Sequence, residues 1–215
     1  MQFYVYRNVH WPMFEELFRF LGTRPEVGER ILCLPSVARL RNGRSDELTE
    51  HLLSLDVPVV TRPSARPVDV TFIADTVAGL VRGCGAIVNV GHGTISKGYY
   101  FTDSIWTERE NWVDLLCVPG DYAAACFAPL LRTRVAATGM PKLDPVFRGA
   151  HSRMALAAAH HLDPSTHFVL YAPTFNEDLS SVYLFAERFA ELARPDRVLF
   201  VKLHGSTRPD TIAAY

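Results

Sequence analysis

The stretch Ala86-Ile87-Val88-Asn89-Val90-Gly91-His92-Gly93-Thr94 runs an apolar strand straight into a histidine flanked by glycines. A strand this apolar is buried on both faces, the condition of a parallel sheet covered by helices. Gly83 and Gly85 punctuate the turn before it, and the glycines after Val90 end it. Working outward toward the N-terminus, Val70–Ala74, Val57–Val60, Arg30–Leu34 and Phe3–Tyr6 read as further strands. Between them lie a short helical stretch at Thr76–Arg82, a helix at Asp46–Leu55 with Ser45 as N-cap, and an amphipathic helix in which Phe14, Leu17, Phe18 and Leu21 recur at helical spacing. Downstream, the strand Asp114–Val118, the Ala-rich helix Tyr122–Leu131 and the strand Arg134–Ala137 continue the alternation. The expected fold class is α/β, a Rossmann-like parallel-sheet domain over residues 1–137.

Periodicity breaks at Thr138–Phe147, where Gly139, Pro141 and Pro145 predict an interdomain linker over 138–147. The alternation then resumes with the helix Ser152–His161, the strand His167–Tyr171, the helix Val182–Leu192 and the strand Arg197–Leu203. Two strands and two helices are too few for an open α/β sheet of ordinary size. Residues 148–215 are therefore expected to be the first part of a second Rossmann-like domain. Its unpaired strand edge predicts self-association.

Composition narrows the function classes. The 22 Lys and Arg against 23 Asp and Glu leave a net charge of −1, so no bulk field draws in a nucleic acid. Cys33, Cys84, Cys117 and Cys126 lack C-x-x-C spacing and read as reduced, buried thiols without a zinc site. No leader and no apolar run of about 18 residues is present, so a cytoplasmic location is expected. Trp11, Phe14, Phe18 and Phe20 are expected in the core rather than in lipid, Arg39, Arg41 and Arg44 in a solvated loop, and His160 and His161 as caps at a helix end.

Three segments carry candidate chemistry. His92, on a tight turn beyond the carboxyl end of a strand, is placed to act as a base, with Thr94 and nearby amides able to bind phosphate oxygens. Gly91-x-Gly93-x-x-Ser96 approaches a dinucleotide fingerprint but lacks its third glycine. Lys202 and His204, two residues apart on an extended segment, share a side and could face a diphosphate. The strand Leu170–Tyr171 leads into Ala172-Pro173-Thr174-Phe175, bringing the Thr174 hydroxyl to the same kind of edge. Trp106 and Trp112, with Tyr99, Tyr100 and Phe101, are candidates for an acceptor groove.

In order, Gly91-His92-Gly93-Thr94 with Lys97, Thr138-Gly139-Met140-Pro141-Lys142-Leu143-Asp144, Tyr171-Ala172-Pro173-Thr174-Phe175 and Lys202-Leu203-His204 resemble the CDP-glycerol glycerophosphotransferase family, the teichoic-acid primases and polymerases of bacterial cell walls. The resemblance covers roughly residues 86–205. Gly91, Ile95 and Ser96 depart from the tryptophan and Pro-Leu common in that family, and Gly205 from its proline. The resemblance implies a GT-B-like fold and transfer of glycerol phosphate, or a related polyol phosphate, from a CDP-linked donor to a hydroxyl of a lipid-linked or polymer acceptor. It implies catalytic roles for His92 and His204 and substrate-binding roles for Gly93, Thr94, Lys97, Thr174 and Lys202. Peripheral contact with the inner face of the cell membrane belongs to the same expectation. No cofactor is fixed, although a divalent cation such as Mg2+ is compatible, and no protein metal site is expected. Two other readings stay open. One is a nucleotide-sugar enzyme of GT-B shape, of glycosyltransferase or UDP-GlcNAc 2-epimerase type, for which Asp103, Glu108 and Asp144 lack diagnostic spacing; the other is a non-catalytic acceptor-binding module or remnant.

Overall fold

Side chains that alternate along a strand serve opposite faces of a sheet, and the first two strands use both. In β1 (Gln2–Tyr4) and β2 (Ile31–Cys33) every residue is buried. Phe3 and Leu32 join one apolar cluster with Trp11, Phe14, Phe18 and Leu52, while Tyr4 and Cys33 join another with Ile73, Leu116, Val118 and Phe127. The two clusters are the two cores of a doubly wound sheet. The structure is a computed structural model and describes residues 1–35, 45–63, 66–76, 84–93, 102, 104–175, 180–181, 188, 191, 194, 196–204 and 207.

Among the described residues, the further strands and α-helices of the first unit are α1 (Trp11–Gly22), α2 (Ser45–Ser54), β3 (Val59–Val60), β4 (Val70–Ile73), β5 (Ala86–Asn89), α3 (Ile105–Arg109), β6 (Leu115–Val118), α4 (Asp121–Phe127), β7 (Arg134–Ala137) and α5 (Asp144–Phe147). All seven strands are parallel, in the order β3-β2-β1-β4-β5-β6-β7. That order is the doubly wound one, reversing between β1 and β4. α1 forms because Trp11, Met13, Phe14 and Phe18 recur on one stripe and Pro12 occupies its first turn, where the missing N–H costs nothing. Phe14 and Phe18 meet the Phe3 ring edge-on at 5.7 and 5.2 Å, and Phe72 of β4 stacks on it at 4.9 Å. Such a buried aromatic group contributes about 3–5 kcal/mol per ring by truncation. Phe20, expected in the core, instead lies half in solvent beneath the Arg24 guanidinium.

Cys33 and Cys84 are buried and free, whereas Cys117 and Cys126 are only partly covered. Burial pushes the Cys33 thiol up to about 12, so it stays protonated and inert.

The chain divides into two compact units, Met1–Arg148 and Gly149–Tyr215. Residues 138–147, expected as a linker, hold ordered structure within the first. Thr138 N–H donates to the Val118 carbonyl at 3.0 Å, a 3-10 turn at Pro141–Leu143 packs on α1, and α5 follows. The prolines there start helical turns rather than merely breaking them. Arg148 closes the unit through an ion pair with Glu16. In the second unit, α6 (Arg153–Ala159) is capped by the Ser152 hydroxyl, and β8 (His167–Tyr171) pairs in parallel with β9 (Arg197–Val201). The expected helices over 76–82 and 182–192, apart from Thr76, Arg188 and Glu191, lie outside the described residues, as does the arginine cluster at 39–44.

Candidate active site

Strand order locates the crevice. Doubly wound sheets bind ligands beyond the carboxyl ends of their strands where the winding reverses, here between β1 and β4. Three segments leave the sheet there: Tyr6–His10 after β1, Ala74–Thr76 after β4, and Val90–Gly93 after β5.

His92 is exposed, and its Nδ1 lies 3.2 Å from the Ala74 carbonyl oxygen. A carbonyl only accepts, so Nδ1 carries the proton and Nε2 presents a lone pair. Among the described residues nothing bonds to that Nε2. The turn holding the ring depends on Gly91, whose φ of +69° is a left-handed conformation that side-chain-bearing residues adopt only with strain. Among the described residues a Cβ there would meet only the Gly93 carbonyl, at 3.9 Å, so it is the backbone conformation that calls for glycine.

Behind His92 lies a second imidazole that sequence reasoning passed over. His10, at the start of α1, is wholly buried, its ring 6.5 Å from that of His92 and edge-on to Tyr6 at 4.4 Å. Burial, then the proximity of His92 and Arg7, lowers its pKa to about 3, with the Tyr4 carbonyl only partly opposing. Tyr6 in turn donates its hydroxyl to Asp75 at 3.0 Å, and Arg7 reaches the same carboxylate at 3.9 Å. Burial and that carboxylate push the Tyr6 phenol well above its usual range, so it stays protonated.

A polar network lies under the β4 and β5 ends. The Glu110 carboxylate accepts from the Thr76 hydroxyl and from Asn89 Nδ2, each at 2.8 Å, and the Thr76 carbonyl accepts from Arg109. Burial raises the Glu110 pKa, while the Thr76 and Asn89 bonds pull it back. Asn89 Oδ1 then accepts the Gly91 N–H at 2.9 Å.

In the second unit, parallel pairing sets Tyr171 opposite Val201, and the Lys202 N–H donates to the Tyr171 carbonyl at 2.9 Å. Both strands therefore release their next residues at one edge. Thr174, Lys202 and His204 are exposed there, and the His204 imidazole lies 4.5 Å from the Phe175 ring at 32°. The structure thus joins the Thr174 and Lys202–His204 segments within one unit and places His92 and Gly93 in the other. Thr94 and Lys97 lie outside the described residues. So do Tyr99, Tyr100 and Phe101, whereas Trp106 and Trp112 are half-exposed.

The model of the CDP-glycerol:poly(glycerophosphate) glycerophosphotransferase family matches residues 80–211, more than half of the chain. The chain belongs to that family. All the sequence-predicted site residues fall inside the matched range. Among solved structures, the chain is similar to the wall teichoic acid polymerase TagF in a variant with a histidine replaced by asparagine, with TM-score 0.61, 14% identity, 94% of this chain and 55% of that chain covered. The same variant soaked with CDPG gives TM-score 0.63 at 13% identity with equal coverage, and a histidine-to-alanine variant gives 0.59 at 13%, covering 95% and 56%. The fold class read from the sequence, α/β and GT-B-like, is the one these structures share. The chain spans about half the length of the structures it matches. No curated protein sequence matches it.

Of the residues behind His92, Tyr6, His10 and Asp75 precede the matched range, while Asn89 and Glu110 lie within it. The available signal was topological: a polar residue directly after β1 or β4 of a doubly wound sheet faces the crevice.

Proposed function

We propose that this chain is part of a transferase that moves glycerol phosphate, or a related polyol phosphate, from a CDP-linked donor to an acceptor hydroxyl in the synthesis of a cell-wall or surface polymer. The observation that carries the reading is the state of His92 at the switch point of the sheet: Nδ1 bound to the Ala74 carbonyl, Nε2 unbonded among the described residues. In this reading Nε2 takes the proton of the acceptor hydroxyl. The freed oxygen forms a bond to the phosphorus of the glycerol phosphate, and the bond from that phosphorus to CMP breaks, CMP leaving with the electron pair. Lys202 and His204 would stabilise charge on the diphosphate, and Gly93, Thr94, Lys97 and Thr174 would contact substrate.

The acceptor is proposed to be lipid-linked or polymeric, with peripheral contact on the inner membrane face. Among the described residues no helix is long and apolar enough to cross a membrane. A divalent cation such as Mg2+ is proposed to enter with the donor phosphates, which supply the oxygen ligands it prefers.

The test is transfer of labelled glycerol phosphate from CDP-glycerol to acceptor by the protein at its native length. His92→Ala is expected to lower kcat by about 10² to 10⁴, the usual contribution of general acid–base catalysis. Turnover close to wild type would remove His92 from the mechanism.

A further inference from the structure

We infer that Glu110 is a positioning residue for His92, acting through the Asn89 side chain on the Gly91–His92 turn. Asn89, nearly fully buried as the last residue of β5, spends both protons of its amide: Nδ2 donates to Thr76 Oγ1 and to Glu110 Oε2, each at 2.8 Å. The Thr76 hydroxyl, accepting from Asn89, donates its own O–H to the same Glu110 oxygen at 2.8 Å. A carboxylate only accepts, so it fixes which end of the amide faces it. The other end, Oδ1, is thereby aimed at the Gly91 N–H, 2.9 Å away.

Gly91 is the residue at φ +69° that turns the chain from β5 into His92. Were the amide reversed, its NH2 would face an N–H and the turn would lose its anchor. The link therefore runs from Glu110 to Asn89, to Gly91, to the ring whose Nδ1 meets the Ala74 carbonyl. Arg109, donating to the Thr76 carbonyl, ties the segment bearing Glu110 to the β4 end. The role of Glu110 is orientation: its carboxylate is engaged by Thr76 and Asn89, and among the described residues it reaches His92 through them.

The inference rests on the reading of His92 as the base, but its test does not need turnover. The readouts are hydrogen exchange of the Gly91 amide and the 15N shifts of the His92 imidazole, measured on the chain alone, with kcat and KM of the native-length protein alongside. Asn89→Asp sets two carboxylates against each other. It is expected to speed Gly91 exchange at least about tenfold, the equivalent of one lost hydrogen bond, and to erode the Nδ1–H tautomer of His92. Glu110→Gln keeps an acceptor and should change exchange by no more than about threefold. The decisive variant is Asn89→Asp with Glu110→Gln, which reverses the polarity of the pair: the glutamine amide now donates, and the new carboxylate still accepts from Gly91. It is expected to recover the tautomer and to return exchange to within about threefold of wild type, with kcat recovering and KM little moved.

If Asn89→Asp fails to fold, folding and tautomer recovery in the double variant read the same way. A double variant no better than Asn89→Asp, or an Asn89→Asp chain with unchanged His92 shifts, overturns the link. If instead His92→Ala leaves turnover intact, the base assignment falls while the tautomer data still report on Glu110 and Asn89.

Discussion

At neutral pH the His10 imidazole is uncharged, and that state is tied to folding. Burial first, then the fields of His92 and Arg7, lower its folded pKa from 6.5 to about 3. The sign follows from proton counting: between those values the unfolded chain binds the proton and the folded chain refuses it, so stability rises with pH. The contribution is fully present above 6.5 and is lost as pH falls toward 3, at about 1.4 kcal/mol per unit. Glu110 acts oppositely, since its raised pKa favours the folded state below the usual carboxylate range and loses that benefit as pH rises. A difference between variants isolates the histidine. Urea unfolding of the wild-type chain is expected to lose about 2 kcal/mol more between pH 7 and pH 5 than His10→Phe, which keeps a buried ring but cannot titrate. Equal pH slopes in the two chains would show that folding does not lower the His10 pKa.

Helix α6 shows how much of an element its sequence announces. Ser152 as N-cap is legible three residues ahead of the Ala155 amide it accepts from, at 3.1 Å. The far end is less so: the Leu162 N–H donates to Ala157 at 2.9 Å and His161 to Ala158 at 3.2 Å, a Schellman closure that puts His161 at φ +54°. The two histidines do sit at the helix end, but His160 packs edge-on against Phe200 at 5.1 Å and His161 takes the place usually held by glycine. His161→Gly is therefore expected to stabilise the second unit by about 1 kcal/mol, seen as a higher thermal midpoint. An unchanged or lower midpoint would mean that the exposed ring repays its strained backbone. The same reasoning explains why α3 escaped the sequence. Its five residues bury only Thr107 and leave Ile105 and Trp106 in solvent, so no apolar stripe marks them, and the Ser104 cap is the sole local signal. Glu110 follows directly on that helix, and its partner Asn89 is 21 positions away. Hence His92 was legible from its flanking glycines while the group that orients its turn was not.

Across the whole chain, apolar strands told the sheet truly because parallel strands need cover on both faces. The first unit meets that need, with every residue of β1 and β2 buried. The second unit does not. Leu170, in the middle of an apolar strand, is 64% exposed, and Val169 and Val201 are each about 40% exposed. Among the described residues its sheet has only β8 and β9, so each strand also presents one unpaired edge. An edge of that kind, lined by aliphatic side chains and without a proline or lysine inside the strand, pairs readily with another copy. We therefore expect the chain to self-associate through this sheet, with a weight-average mass by light scattering that climbs with concentration. Leu170→Lys places a charge on the exposed apolar face and should hold the chain monomeric at concentrations where the wild type is not, while leaving the first unit's unfolding unchanged. A wild-type chain that stays monomeric at high concentration would show the exposed strands to be tolerated in water, and the association would fall.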